Sequence, residues 1–225
     1  MKTNEELQKD VMEELKWESA LAKVASQIGV TANDGVITLT GRVESYSEKL
    51  AAEKAAQRVS GVKVVAEDIK VIIQGISERT DTDIAIAVKN ALKWHTQVDE
   101  DHIEIKVEKG WVYLDGNVEW DYQKKAAESA IENLVGVHGV INRIEIKNSI
   151  NVKDIKTKIS RAFHRSATLD AGNITIEISE AQVTLRGKVK SLAEKKEAEN
   201  AVWASPGVNV LVNKIEVDIN MIEYA

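Results

Sequence analysis

Three stretches of this chain align without a gap: GVITLTGRV from Gly35 to Val43, GWVYLDGNV from Gly110 to Val118, and AQVTLRGKV from Ala181 to Val189. The internal glycine of each, Gly41, Gly116 or Gly187, is followed twenty residues later by another, Gly61, Gly136 or Gly207. A chain of 225 residues patterned in this way must repeat one small supersecondary unit rather than wrap a single large core.

The register extends in both directions. Upstream, Leu7/Val11/Leu15, Ile84/Val88/Leu92 and Ile155/Ile159/Phe163 recur at helical spacing. Each helix is preceded by a capping pair, Thr3 with Glu6, Thr80 with Asp83 and Asn151 with Asp154, which offers a side-chain oxygen to free amides and a carboxylate three residues on. Period-two apolar residues then mark a first strand, clearest in Ile103/Ile105/Val107 and Ile174/Ile176/Ile178, with Ile28/Val30 in the first copy. The NDG of Asn33 to Gly35 is a hairpin signal. An alanine-rich helix follows the second strand, with Ala52/Ala55/Ala56, Ala127/Ala130 and Ala198/Ala201 in matching places. Its stop is expected at Gly61, Gly136 and Gly207. Closing strands EDIKV, NRIEI and NKIEV complete the units.

Each unit therefore reads helix, strand, strand, helix, strand. The fold class is α+β: three tandem αββαβ domains over residues 1–74, 75–148 and 149–225, each a three-stranded mixed sheet with two helices on one face. The link from Ile72 to Arg79 is expected to hinge, and that from Lys147 to Ile150 is too short for much independence. Gly41, Gly116 and Gly187 interrupt the apolar side of the second strand, and the expectation is that they let the alanine helix approach the sheet closely. On the exposed side of that helix, Lys49/Glu53, Lys124/Glu128 and Lys195/Glu199 have the spacing of i,i+4 ion pairs.

Composition narrows the function classes. Aromatics are only 4% of the chain, so the cores are built from small aliphatic side chains. The net charge of −6 argues against a protein that coats nucleic acid, and no nucleic-acid partner is expected. With no cysteine there is no disulfide framework, thiol nucleophile or Cys-ligated zinc. No apolar run approaches the roughly 18 residues of a membrane span. The sequence as it stands is expected in the cytoplasm, or in the periplasm if a leader peptide was removed.

The α-β-β-α-β order, the V-x-L-x-G-x-V strand and the closing strands of Gly136 to Ile144 (V-x-N-x-I) and Gly207 to Ile215 (the same pattern with Leu211 at its first place) resemble the BON domain, named for bacterial OsmY and nodulation proteins. The third copy has Ala181 in place of the hairpin glycine, and the first has Glu67 where the others have Asn142 and Asn213. The resemblance covers nearly the whole chain. It implies a non-enzymatic binding module associated with envelope stress and proposed to attach to phospholipid, and cytoplasmic ion-binding members are also known. Ions, potassium or a divalent cation, thus enter as an alternative ligand.

No nucleophile elbow, phosphate-binding loop or dinucleotide fingerprint occurs, and His95, His102, His138 and His164 do not occupy equivalent repeat positions. No catalytic residue, cofactor or metal ligand is therefore assigned. Asp99-Glu100-Asp101-His102 is the densest acidic candidate for a cation, and it reads better as a solvated turn. Comparison between sister units is more informative about surfaces. Trp111, Tyr113 and Trp120 match Val36, Thr38 and Ser45, so the fold does not require an aromatic at any of them. They are candidate binding residues, with burial against neighbouring units as the competing reading. Trp17 and Trp94, matching Arg165, are expected to pack at a rim, while Trp203 is divided evenly between packing and contact. The first helix of the third unit carries Lys153, Lys156, Lys158, Arg161 and Arg165, where that of the first unit is acidic. Lys153, Lys156, Arg161 and Arg165 complete the candidate binding set, facing anionic phospholipid or a protein partner. A homo-oligomer assembled through helices of opposite sign is the structural alternative.

Overall fold

A computed structural model describes residues 2–72, 79–98, 102–147, 155–166, 171–179 and 181–218. The expected linkers, Lys153, the third capping pair and Asp99 to Asp101 lie outside these residues.

The first module runs α1 (Asn4–Trp17), β1 (Ile28–Asn33), β2 (Val36–Val43), α2 (Tyr46–Arg58) and β3 (Val64–Val71). The second runs α3 (Asp81–Trp94), β4 (Ile103–Glu108), β5 (Trp111–Val118), α4 (Asp121–Ile131) and a closing strand in two pieces, β6 (Gly139–Asn142) and β7 (Glu145–Ile146). The third has α5 (Ile155–Arg165), β8 (Ile174–Ser179), β9 (Gln182–Val189), α6 (Leu192–Trp203) and β10 (Val210–Val217). In every sheet the second strand is central: β1, β4 and β8 pair antiparallel to it in hairpins, and β6, β7 and β10 pair parallel. By backbone proximity the chain divides into two compact units, one of Met1–Val43, Glu48–Lys70 and Asn151–Ala225, the other of Glu44–Ser47 and Val71–Ile150.

Local chemistry explains these elements. Thr3 and Thr80 form complete capping boxes with Glu6 and Asp83. Asp34 and Gly35, like Lys109 and Gly110, have positive φ at both hairpin positions, the mirror-image turn whose twist suits paired strands. The first helix also secures that turn: the Asp81 carboxylate accepts the amides of Lys109 (2.8 Å) and Gly110 (2.9 Å), and Asn4 Oδ1 accepts that of Asp34 (2.9 Å). Gly61, Gly136 and Gly207 end the second helix turn with φ of +101°, +100° and +90°, as the spacing requires.

The cores lie between each sheet and its helices. In the third module Ile155, Ile159 and Phe163 of α5 meet Val183, Leu185 and Val189 of β9 and Ala198 and Val202 of α6. Corresponding residues are buried in the other two, among them Leu7, Val11, Leu39 and Ala52, and Ile84, Val88, Leu114 and Ala127.

The internal glycines do a different job from the one their spacing suggests. Gly41, Gly116 and Gly187 have φ of +129°, +125° and +137°, a region closed to most side chains. A Cβ at each would collide with a backbone carbonyl at the start of the first strand, that of Gln27, His102 or Asn173. The contact that excludes a side chain is strand against strand, not helix against sheet.

The lysine and glutamate pairs on the second helix are likewise redirected. Lys49 donates to the Ile69 carbonyl (3.1 Å) and Lys195 to the Ile215 carbonyl (2.7 Å), so these side chains reach the closing strand. Glu128 and Glu199 accept from Asn142 (3.2 Å) and Asn213 (3.0 Å) of that strand. Where the first module has Glu67 instead, Lys49 Nζ lies 3.0 Å from its carboxylate. A positive partner replaces a neutral one because the acceptor has become an anion.

Candidate interaction surfaces

Burial of Ile155, Ile159 and Phe163 fixes which side of α5 faces outward. Lys158, Arg161 and Arg165 recur at i, i+3 and i+7 and make one exposed stripe, whereas the exposed Lys156 leaves from the opposite flank. Between Ile155 and Arg165 there is no carboxylate. None of the four cations forms an ion pair or hydrogen bond through its side chain with the described residues. The candidate set therefore separates: Arg161 and Arg165 stand together with Lys158, a residue the sister-unit comparison names but the set omitted.

Part of the acidic charge on the helix of the first module is paired within its own module, while Glu5 and Glu13 stay exposed. Asp10 pairs with Lys2 (2.6 Å), and Arg58 of α2 bridges Glu14 (2.9 Å) and Glu18 (2.8 Å). The Arg58 hydrogen bond holds the Glu18 carboxyl below its ordinary range, and the Glu18 bond raises the Arg58 guanidinium. This weakens the idea that α1 is a bare negative counterpart to α5.

The matching residue at the end of each first helix is open to solvent. Trp17 is 83% exposed and Trp94 81%, which overturns their expected rim packing. Trp203 is half-buried against the core of the third module.

On the second module, strand alternation places Trp111, Tyr113 and Asp115 on the sheet face away from the helices. Trp111, 39% exposed, lies over Gly139 of the neighbouring strand, where any Cβ would run into its ring. Tyr113 is half-buried between Lys106 and Arg143, whose charged groups each stand 5.3 Å from the ring centroid. Arg143 is held in turn by a two-pronged bond to Asp115, 2.7 and 2.6 Å. That contact lowers the Asp115 carboxyl and raises the guanidinium. Trp120 is half-buried before α4, its amide donating to Gln123 (2.9 Å), while Tyr122 beside it is exposed. Trp120 thus stands at a helix entrance and Trp111 and Tyr113 on the sheet face.

Among the described residues no group of three or more histidines or carboxylates is arranged to hold a metal ion, and no helix is long and apolar enough to cross a membrane.

Three small αββαβ modules, each closing its own core between a mixed sheet and two helices, define a class of tandem-repeat α+β protein. The chain belongs to the BON domain family, whose model matches residues 3–72, 80–148 and 151–218. It is similar to Osmotically-inducible protein Y of Escherichia coli (strain K12), 30% identical over 129 residues that make up 55% of this chain and 63% of that protein. An Anaplasma centrale protein described as an uncharacterized protein in the gshII 5′ region is 27% identical over 129 residues, 56% of this chain and 85% of its own length. The chain thus spans less than two thirds of the first relative and most of the second. Among solved structures, CdsD, a structural protein of the type III secretion system of Chlamydia trachomatis, aligns over 96% of this chain and 95% of its own, at 13% identity and a TM-score of 0.26, too low to support an inference.

Proposed function

We propose that this chain is a non-catalytic, stress-associated binding protein that attaches to anionic phospholipid surfaces through the cationic outer face of α5. The stress association follows the relative whose name records osmotic induction. The observation that carries the lipid reading is the stripe of Lys158, Arg161 and Arg165, a cationic helix face with no carboxylate between Ile155 and Arg165 and no counterion among the described residues.

Each such cation near an anionic leaflet contributes about 1 kcal/mol, so α5 supplies weak, reversible attachment that salt screens. Trp17 and Trp94, each exposed at the end of its own module's first helix, are amphipathic rings of the kind that settle at the headgroup level.

Flotation with vesicles of phosphatidylglycerol and phosphatidylcholine, against phosphatidylcholine alone, tests this at low and high salt. Co-flotation is expected only with the anionic vesicles and only at low salt. Absence of co-flotation in every condition removes the reading.

A further inference from the structure

We infer that the free edge of β4 is a self-complementary docking strand, through which two copies of the chain join their second-module sheets about a two-fold axis at Ile105. Among the described residues β4 is an outer strand, paired on one side only with β5. Its two-residue hairpin makes Glu108 and Trp111 a hydrogen-bonded pair. The alternation that follows turns the backbone groups of Glu104, Lys106 and Glu108 toward β5 and those of Ile103, Ile105 and Val107 toward the open edge. None of these outward groups has a hydrogen-bond partner among the described residues.

The first module shows what closes such an edge. There Gln8 of α1 donates its side-chain amide to the Val30 carbonyl of β1 at 2.7 Å. Val30 matches Ile105 and Gln8 matches Ala85, which has no group to donate. Beside Ala85, Ile86 is 57% exposed, and a concavity of about 390 Å³ opens between α3 and the strand, lined by Asp81, Thr82, Ala85, Ile86, Lys89 and Val107.

The occupant follows from charge and register. Paired antiparallel to itself about Ile105, β4 places Glu104 opposite Lys106 of the second copy and Lys106 opposite its Glu104. On the other face Ile103 meets Val107, and Ile105 meets its own equivalent. The same register makes every facing pair among Ile103, Ile105 and Val107 a hydrogen-bonding one, because those are the residues whose backbone faces out. The exposed Ile86 side of α3 then lies next to the axis, where an apolar residue is covered by its symmetry mate. β8 lacks this match, since Thr175 would face Glu177.

Sedimentation equilibrium of the full chain, without lipid and over a wide concentration range, tests the inference independently of membrane attachment. Reversible dimerisation is expected. Glu104→Lys should weaken it about tenfold, by setting like charges opposite each other twice, and the swap Glu104→Lys/Lys106→Glu should restore it. Hydrogen exchange should show protection of the Ile103, Ile105 and Val107 amides rising with concentration. A chain monomeric throughout, or a dimer indifferent to both variants, would overturn the inference.

Discussion

The carbonyl oxygen of His102 occupies the space that a Cβ on Gly116 would need. The two residues sit at the start of β4 and inside β5, where Ile103 and Gly116 are register partners. Gln27 with Gly41 and Asn173 with Gly187 repeat the contact. The repeat motif thus records a place where two strands approach too closely for any side chain.

Gly116→Ala should therefore destabilise the protein by about 1–3 kcal/mol from the backbone conformation alone, with a further cost as the strands separate. Gly139→Ala meets the Trp111 ring rather than main chain, and its φ is not in the positive range, so a smaller loss is expected. Thermal unfolding of the two variants measures the difference. Equal losses would show that the strand contact is not what selects glycine.

The tether between second helix and closing strand should be measurable in the third module. Asn213 donates to Glu199 at 3.0 Å and accepts the Ile215 amide at 2.9 Å. Asn213→Ala removes both bonds in a half-buried setting and should cost about 1–2 kcal/mol, read from the urea midpoint. Substitution at an exposed helix position such as Lys54→Ala should change it by no more than about 0.5 kcal/mol.

Acid should weaken the second module. The Asp81 carboxyl is lowered by its bonds to the Gly110 and Lys109 amides, Asp83 by Thr80, Glu108 by Lys106 and Asp115 by Arg143. Groups with depressed values stabilise the folded state above their unfolded pKa of about 4 and lose that contribution as pH falls through the folded value. The urea midpoint should decline on acidification below that range. Asp81→Asn should flatten the decline, because the hairpin amides then face a neutral acceptor at every pH.

Trp17 and Trp94 separate stability from binding. At 83% and 81% exposure each should be replaceable by Ala with a stability change within about 0.5 kcal/mol. If they enter the headgroup region, the same substitutions should diminish the fluorescence shift on adding anionic vesicles. Lys158→Glu with Arg161→Glu should abolish flotation while leaving thermal unfolding nearly unchanged.

Much of the architecture was legible in the residues. Element order, the α+β class, the two Thr capping boxes and the Gly helix stops each depend on contacts a few residues long or on a periodicity, and the sequence carries both directly. Three copies sharpened this reading, since agreement between sisters separates what the fold requires from what one module adds. The same comparison singled out Trp111, Tyr113 and the α5 cations, and it paired Trp17 and Trp94 with Arg165.

What only the tertiary structure decided were contacts between residues distant along the chain. Spacing marks Gly116 as special but cannot say that the His102 carbonyl is the reason. It places Lys195 and Glu199 one helical turn apart but not beneath the Ile215 carbonyl and Asn213. Nor could it show that Asp10 and Glu14 of α1 are paired with Lys2 and Arg58, while the cations of α5 have no ion-pair partner among the described residues. Helical period and strand alternation determine which way a side chain points, whereas the identity of its partner depends on how the elements fold back upon one another.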